Sequence, residues 1–383
     1  MIGVMMSRLD LGSLDSVIDA FRDQPRDVAL AAELAQLLAA TGTIRDADET
    51  ANDLASTGGP ASLSTFLAPL VMVHDGDIVP KVGVPGRPAG VIDTLGVIPG
   101  YSTDLGLSRF DHVLKTAGFA NTLAADTFAP GDGVLFKRRQ ERMAQTIPGL
   151  VAASLISKKV AVGLRRVTID VRVLPGGNFG ETLAEAEDNI VLLRAVGEAL
   201  GVAVTAVASD GASVPQPFLG RAEALGALVS IFDESADSWL HRHFIDCIQL
   251  ARAHRSGVGA EGGPKPSDLA AILDQNLRAQ GSRGIDDVRS YLARVDRVSA
   301  RVVVRAPRDG QVHWDPAMLR SAIVGRQDSP TSALPGDGCG LRLLAEEGAM
   351  VSQGDELAVF RIGGSDDASL VVRNFAELAV SSR

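Results

Sequence analysis

Val167-Thr168-Ile169-Asp170-Val171-Arg172-Val173 is a nearly continuous β-branched run, the pattern of a strand buried in a parallel sheet. A helical stretch, Thr182–Leu200, follows it, and Val202–Ala208 reads as the next strand. Strand, helix and strand in that order make a βαβ unit, which sets the class as α/β with a mostly parallel central sheet.

On the N-terminal side, residues 8–57 read as helices. Ser13 is placed to cap a helix beginning Leu14-Asp15, and Val28–Leu38 carries apolar residues at helical spacing. The helical pattern stops at Ser56-Thr57-Gly58-Gly59. Leu67–Val73 is apolar, Ile78–Val84 reads as a buried strand, and the punctuated segment Gly83-Val84-Pro85-Gly86-Arg87-Pro88 follows. On the C-terminal side come helices at Gly220–Ile231 and Trp239–His254, then Ser256–Pro266, a Gly-rich surface loop or lid. Residues 301–383 alternate short β runs (Arg301–Arg305, Leu341–Leu344, Glu356–Ile362) with Gly-Asp turns. Ala349–Glu356 has the look of a lipoyl or biotinyl carrier, but a carrier needs a modifiable lysine and none occurs after Lys265. The expected organisation is an N-terminal helical lobe at 1–58, an α/β domain at 59–300 with about 130–165 returning to the helical lobe, and a small β-rich C-terminal module at 301–383.

Bulk properties narrow the function. The chain has 383 residues, 46% hydrophobic and 22% charged, with 40 glycines and 4% aromatics, so its cores are packed by Ala, Val and Leu. A formal charge of −10 argues against nucleic-acid binding, which needs a basic face. It also gives no general attraction for anions, so any phosphate site must be built locally. Cys247 and Cys339 lie far apart in neither metal nor redox spacing, and a reducing cytoplasm is the expected setting. Met1–Met6 is too short for a signal-peptide core, and no apolar run of about 18 residues occurs, so no membrane span is expected. Among six histidines only His241 and His243, with Asp246 and Cys247, invite a metal reading. His241 and His243 are two apart and do not share a helix face, so a surface His–carboxylate hydrogen bond is expected there and no metal. His74 with Asp75 and Asp77 reads as a polar turn.

Three ordered blocks resemble the thymidine and pyrimidine nucleoside phosphorylases. They are Ser56-Thr57-Gly58-Gly59 with Leu67-Ala68-Pro69-Leu70; Gly90-Val91-Ile92-Asp93-Thr94-Leu95 closing on Ile98-Pro99-Gly100-Tyr101; and Phe128-Ala129-Pro130, Arg138, Ile147-Pro148 and Ala153-Ser154-Leu155-Ile156-Ser157-Lys158-Lys159. Ile169–Val173 and Gly176-Gly177-Asn178-Phe179 continue the match, which runs from about residue 10 to residue 235. The resemblance implies a split helical domain hinged against a larger α/β domain, a homodimer formed through helices, and a pyrimidine-type nucleoside held between the lobes without a cofactor.

The resemblance assigns the base to an Arg, a Ser and a Lys, here Arg138, Ser154 and Lys158, with Arg139 a rival for Arg138 because one residue appears inserted before Ser154. Arg and Lys suit the carbonyl oxygens of a uracil-type ring and the charge on a departing base. Ser154 and Lys158, four apart, share a helix face. The alternative is a solvated basic cluster of Lys137, Arg138, Arg139 and Arg142 at a helix end. Phe179 is a candidate to stack on base or ribose, or a core aromatic.

The phosphate side departs from the family. The Lys-His that precedes Ser-Thr-Gly-Gly in the family is Leu54-Ala55 here, two phosphate hydroxyls fall on Gly83 and Val91, and a His position is Arg87. Ser56, Thr57, Gly58, Gly59, Ser64 and Arg87 are what remains of a phosphate or ribose loop. Lys81 and Arg87 are the nearby cations, each a relocated ligand or, the favoured reading, a surface charge. The expectation is a pentosyltransferase with altered acceptor chemistry, no assigned catalytic residue and doubtful phosphate binding. The alternatives are a non-catalytic nucleoside-binding or partner subunit, and a repurposed lyase or isomerase.

Overall fold

The computed structural model describes residues 13–255, 262–328, 332–363 and 375–381. Most of the Ser256–Pro266 loop lies outside them. The chain opens with α1 (Leu14–Asp23) and α2 (Val28–Ala40). The Ser13 hydroxyl caps α1, and Asp27 caps α2 by accepting from Leu30 N at 2.9 Å, satisfying N–H groups that a helix start leaves free.

β1 (Leu54–Ser56), α3 (Ser64–His74), β2 (Val79–Gly83), α4 (Val91–Gly96), α5 (Leu107–Ala117) and β3 (Phe119–Leu123) follow. α6 (Pro130–Glu141) and α7 (Pro148–Ala161) lead back to β4 (Arg166–Val173), α8 (Leu183–Ala199) and β5 (Ala203–Asp210). Both α6 and α7 start on proline, whose fixed φ suits the first helical turn. The strands pair in parallel as β1-β4-β5 and as β2-β3, and a parallel bridge from Ala51 to Ile78 links the two sets. The expected parallel α/β class is therefore the observed one.

β4 divides two cores. Val167, Ile169 and Val171 pack with α1, α2, α7 and α8 on one face. On the other, Leu54 of β1 joins Leu63, Phe66 and Leu67 of the α3 region and Phe244 of α10. That second core is built from α3 together with β6 (Phe218–Leu219), α9 (Arg221–Phe232), α10 (Ser238–Arg252), α11 (Pro266–Ala279) and α12 (Ile285–Val298).

Between these cores sits one carboxylate with two lysines. Asp53 is wholly buried; its Oδ1 accepts from Lys81 Nζ at 2.7 Å and its Oδ2 from Lys159 Nζ at 2.5 Å. Lys81 Nζ also donates to the Leu54 carbonyl at 2.5 Å. The segment entering β1, the strand β2 and the helix α7 thus meet at a single side chain. Burial raises the Asp53 carboxyl, but Lys159 and Lys81 overcome it and hold the group below the usual carboxylate range. Burial pulls the Lys81 ammonium below its ordinary value despite Asp53. Lys81 is therefore neither a surface charge nor a group aimed at a ligand.

The chain ends in β7 (Ala300–Arg305), β8 (Gly310–Val312), α13 (Pro316–Gln327), β9 (Cys339–Leu343), β10 (Met350–Val351), β11 (Glu356–Ile362) and β12 (Val380–Ser381). β6 joins the antiparallel sheet β6-β9-β11-β7, so the C-terminal β structure recruits residues 218–219 as well. The module is fixed to α9 through buried Arg361, which donates from Nε to Glu223 Oε1 at 2.6 Å and from Nη2 to Asp337 Oδ1 at 2.6 Å. Two further links reach residues 84–90: Gln327 Nε2 donates to the Pro88 carbonyl at 2.5 Å, and Arg87 pairs with Asp328. No described helix is long and apolar enough to cross a membrane.

Removing one partner of a buried ion pair leaves an uncompensated charge, at a cost of about 3–5 kcal/mol. Asp53→Ala is expected to lower the unfolding free energy by about that amount in urea at neutral pH. Because the Asp53 carboxyl is depressed, its contribution is present above the unfolded carboxyl's pKa and is lost only as pH falls through the lower folded value. An unchanged urea midpoint for the variant would show that the triad does not hold the strands.

Candidate active site

Open α/β sheets bind ligands beyond the carboxyl ends of their strands. Here that edge is formed by Ser56, Gly83, Leu123, Val173 and Asp210 as the last residues of β1 to β5. Leaving β1, the loop Ser56-Thr57-Gly58-Gly59 takes φ of +127° at Gly58 and +123° at Gly59, a backbone that glycine alone adopts without strain. Thr57 pins the loop to β4: its N–H donates to the Asp170 carbonyl at 3.0 Å, and its Oγ1 accepts from Arg172 N at 2.9 Å.

Thr168, Asp170 and Arg172 alternate along β4 and share the face opposite its apolar residues. Asp170 is fully buried and gathers three hydroxyls: Ser56 and Ser64 donate to Oδ2 at 3.2 and 3.4 Å, and Ser209 of β5 donates to Oδ1. The hydroxyl protons of Ser56 and Ser64 are thereby committed to a carboxylate, not presented to a ligand.

Arg172 is 5% exposed. Its Nη1 reaches Ser209 Oγ at 3.4 Å, its Nε is buried with no partner, and it forms no ion pair with any described residue. The guanidinium lies against the glycine loop: a Cβ placed on Gly59 would sit 3.5 Å from Nε and 3.9 Å from Nη2. Behind it, His243 is buried and accepts at Nε2 from Leu63 N at 2.9 Å, with Cys247 Sγ 3.5 Å away. Burial, helped by the Arg172 charge, takes this imidazole down to about 3. The expected surface His–carboxylate bond is not formed, because His243 faces the core and its partner is a backbone N–H.

Of the sequence-derived base residues, Ser154 and Lys158 are buried on one face of α7. Lys158 Nζ donates to Asp132 Oδ2 at 2.5 Å, to Ser154 Oγ at 3.1 Å and to the Ser154 carbonyl. Burial lowers the ammonium against the pull of Asp132.

Arg138 does not join them. It pairs with Asp15 at 2.6 Å and Glu141 at 2.6 Å on the outer side of α6. Its neighbour Arg139 lies on the same inward face as Asp132 and Leu135, three and four residues apart as a helix face requires. Arg139 donates to the carbonyls of Gln145 at 2.7 Å and of Ala144 and Leu150 at 3.4 Å, and burial takes it down to about 10. The rival assignment is thus the one whose geometry meets Ser154 and Lys158.

Phe179 is 1% exposed and packs in the core with Val171, Ala186 and Ile190. Arg87 is turned to Asp328 on the C-terminal module. Sequence reading passed over Asp170, Arg172 and Ser209. The signal available was the polar residue at every second position of β4, which marks a polar face within an apolar strand.

An α/β chain with a polar loop and charged side chains at the carboxyl edge of parallel strands is built for small-molecule binding there. No protein-family model matches the chain. Curated relatives do: a thymidine phosphorylase of Sinorhizobium medicae is 28% identical, covering 90% of this chain and 83% of its own. That of Agrobacterium fabrum is 26% identical (93% and 84%), and that of Colwellia psychrerythraea 22% (84% and 76%). Among solved structures, anthranilate phosphoribosyltransferase of Thermus thermophilus aligns at 14% identity over 74% of this chain and 95% of its own, TM-score 0.47. The Saccharomyces cerevisiae enzyme in complex with PRPP and Mg aligns at 12% over 75% and 86%, TM-score 0.49. The chain is a divergent member of the thymidine/pyrimidine nucleoside phosphorylase family.

The two neighbouring arginines give a direct test of the inward face of α6. Arg139→Ala is expected to destabilise the fold by about 1.5–3 kcal/mol, the scale of a lost charged hydrogen bond. Arg138→Ala should leave the thermal midpoint nearly unchanged, since its ion pairs are exposed. The reverse order in thermal unfolding would overturn the placement.

Proposed function

We propose that this protein is a pentosyltransferase acting on the N-glycosidic bond of a pyrimidine-type nucleoside, with acceptor chemistry altered from that of its relatives. The observation that carries the reading is the pair Leu54-Ala55 at the start of the loop. Leu54 is fully buried in the core beside α3, and Ala55 packs against the opposite core. Neither position supplies a charge or a proton, and the nearby hydroxyls of Ser56 and Ser64 are held by Asp170. A positioned acid or base is worth about 10²–10⁴-fold in rate, so phosphate attack by the family's route is heavily handicapped. In the proposed site Arg139, Ser154 and Lys158 face the base, and water, another small molecule or a differently held phosphate serves as acceptor.

A second reading, a non-catalytic nucleoside-binding subunit, is favoured by one observation: the polar groups of Lys158 and Arg139 are already satisfied within the protein. A ligand then has to displace Asp132 or backbone carbonyls to engage them.

Phosphate-dependent release of thymine or uracil is expected to be very slow. Base release from thymidine and uridine, followed with and without phosphate, separates the cases. Turnover in the ordinary enzyme range of about 1–10³ per second with phosphate would overturn the altered-acceptor reading. Nucleoside binding without release under any acceptor would favour the binding subunit. Leu54→Lys with Ala55→His should not restore phosphorolysis, because position 54 points into an apolar core where an ammonium is costly to bury. Full recovery by the double variant, measured by the same release assay, would show that the loss rests on those two residues alone.

A further inference from the structure

A guanidinium buried without a counter-ion is costly, because desolvation is not repaid by a partner. Arg172 is in that position, at 5% exposure, with Nε unpartnered and only a 3.4 Å contact from Nη1 to Ser209 Oγ. The carboxylates nearest along the chain do not relieve it. Asp170, two residues back on the same face, spends its oxygens on Ser56, Ser64 and Ser209. Asp210, at the end of β5, accepts from Ala212 N at 2.8 Å and Ser213 N at 3.3 Å. On the α10 side, His243 takes its hydrogen bond from Leu63 N.

The open side of the guanidinium is the glycine loop. Nε and Nη2 are the atoms nearest to where a Gly59 side chain would begin, and Gly58 and Gly59 carry none, so the backbone leaves that approach clear. Nε and one Nη form the fork that binds two oxygens of a phosphate or carboxylate side by side. The loop lies at the strand carboxyl edge, where ligands of such sheets bind.

We propose that Arg172, with the Gly58-Gly59 backbone, forms an oxyanion site for a phosphoryl group, supplying from β4 the positive charge that Leu54 does not supply from β1. The proposal rests on the reading of this crevice as a pentosyl-transfer site, and it narrows the acceptor or substrate to one bearing a phosphoryl group. That group is either free inorganic phosphate or a phosphate carried on the pentose.

The test uses the full chain, with inorganic phosphate, ribose 1-phosphate and unphosphorylated ribose as probes, read by calorimetry and thermal unfolding. At least one phosphorylated probe is expected to bind and raise the unfolding temperature, as a ligand selective for the folded state must, while ribose does not. Binding of inorganic phosphate indicates a free acceptor; binding of ribose 1-phosphate alone indicates a substrate-borne group. Arg172→Met should weaken that binding by at least about tenfold. In phosphate-free buffer it should unfold at the same or a higher temperature than the parent, because an apolar side chain replaces an unpaired charge. A purely structural arginine would give the opposite shift.

Arg172→Lys keeps the charge without the fork. It should fold and bind the same probe several-fold more weakly, which decides the matter if the Met variant does not fold. The proposal is overturned if the parent binds neither phosphorylated probe, if either folded variant binds as the parent does, or if Arg172→Met unfolds at a clearly lower temperature in phosphate-free buffer. Arg172-dependent anion binding with no base release under any condition would remove the transferase reading and leave the anion site standing.

Discussion

A single buried carboxylate facing two ammonium groups organises this molecule. Asp53 ties the entry to β1, the strand β2 and the helix α7 together, so the two parallel sheets and the returning helix take their relative positions from one side chain. Its neighbourhood is not neutral. Lys81, Lys159, Lys158 and Arg139 are set against Asp53 and Asp132, and the Lys158 ammonium feels both Lys159 and Arg139. A chain with a formal charge of −10 therefore keeps an excess of positive charge inside, between β1, β2, α6 and α7. Low-dielectric walls make such local charge count for more than the net charge does.

The carboxyl edge of the sheet follows the same logic with the signs divided. Asp170 draws Ser56, Ser64 and Ser209 inward, which fixes the glycine loop but removes its hydroxyls from use as donors. Arg172, one step further along β4, is left facing that loop with an unsatisfied nitrogen. Compared with the family pattern, side chains that would act on a ligand have been exchanged for ones that act on the protein, at positions 54, 55, 83 and 91 together.

The parallel α/β class was legible in β4, α8 and β5, because β-branched runs and helical periodicity are local signals. The caps Ser13 and Asp27 show how short-range chemistry marks helix starts. The choice between Arg138 and Arg139 was not legible. One residue of offset rotates a side chain by about 100° on a helix, and only the packing of α6 on α7 shows which arginine turns inward. Lys81 was misread as a surface charge because its partner, Asp53, is 28 residues away in sequence. His243 was read as a surface group for the same reason: Leu63, which occupies it, is 180 residues away. The C-terminal β runs were visible, but not the recruitment of Phe218–Leu219 into their sheet.

The links from Gln327 to Pro88 and from Asp328 to Arg87 bear on the order in which the chain completes itself. Residues 84–90 emerge early in synthesis, yet the group that holds the Pro88 carbonyl lies 239 residues later. Contacts of such long sequence separation close last, since the intervening loop entropy must first be offset by other structure. The Asp53 node needs only the first 159 residues and can form while the ribosome is still at work. The crevice therefore has two ages: a floor set during translation and a rim that waits for the C-terminal module to fold. A nascent chain in the interval presents the ligand edge with one side unfinished, and a cell that makes this protein acquires its binding function only at the end of the message.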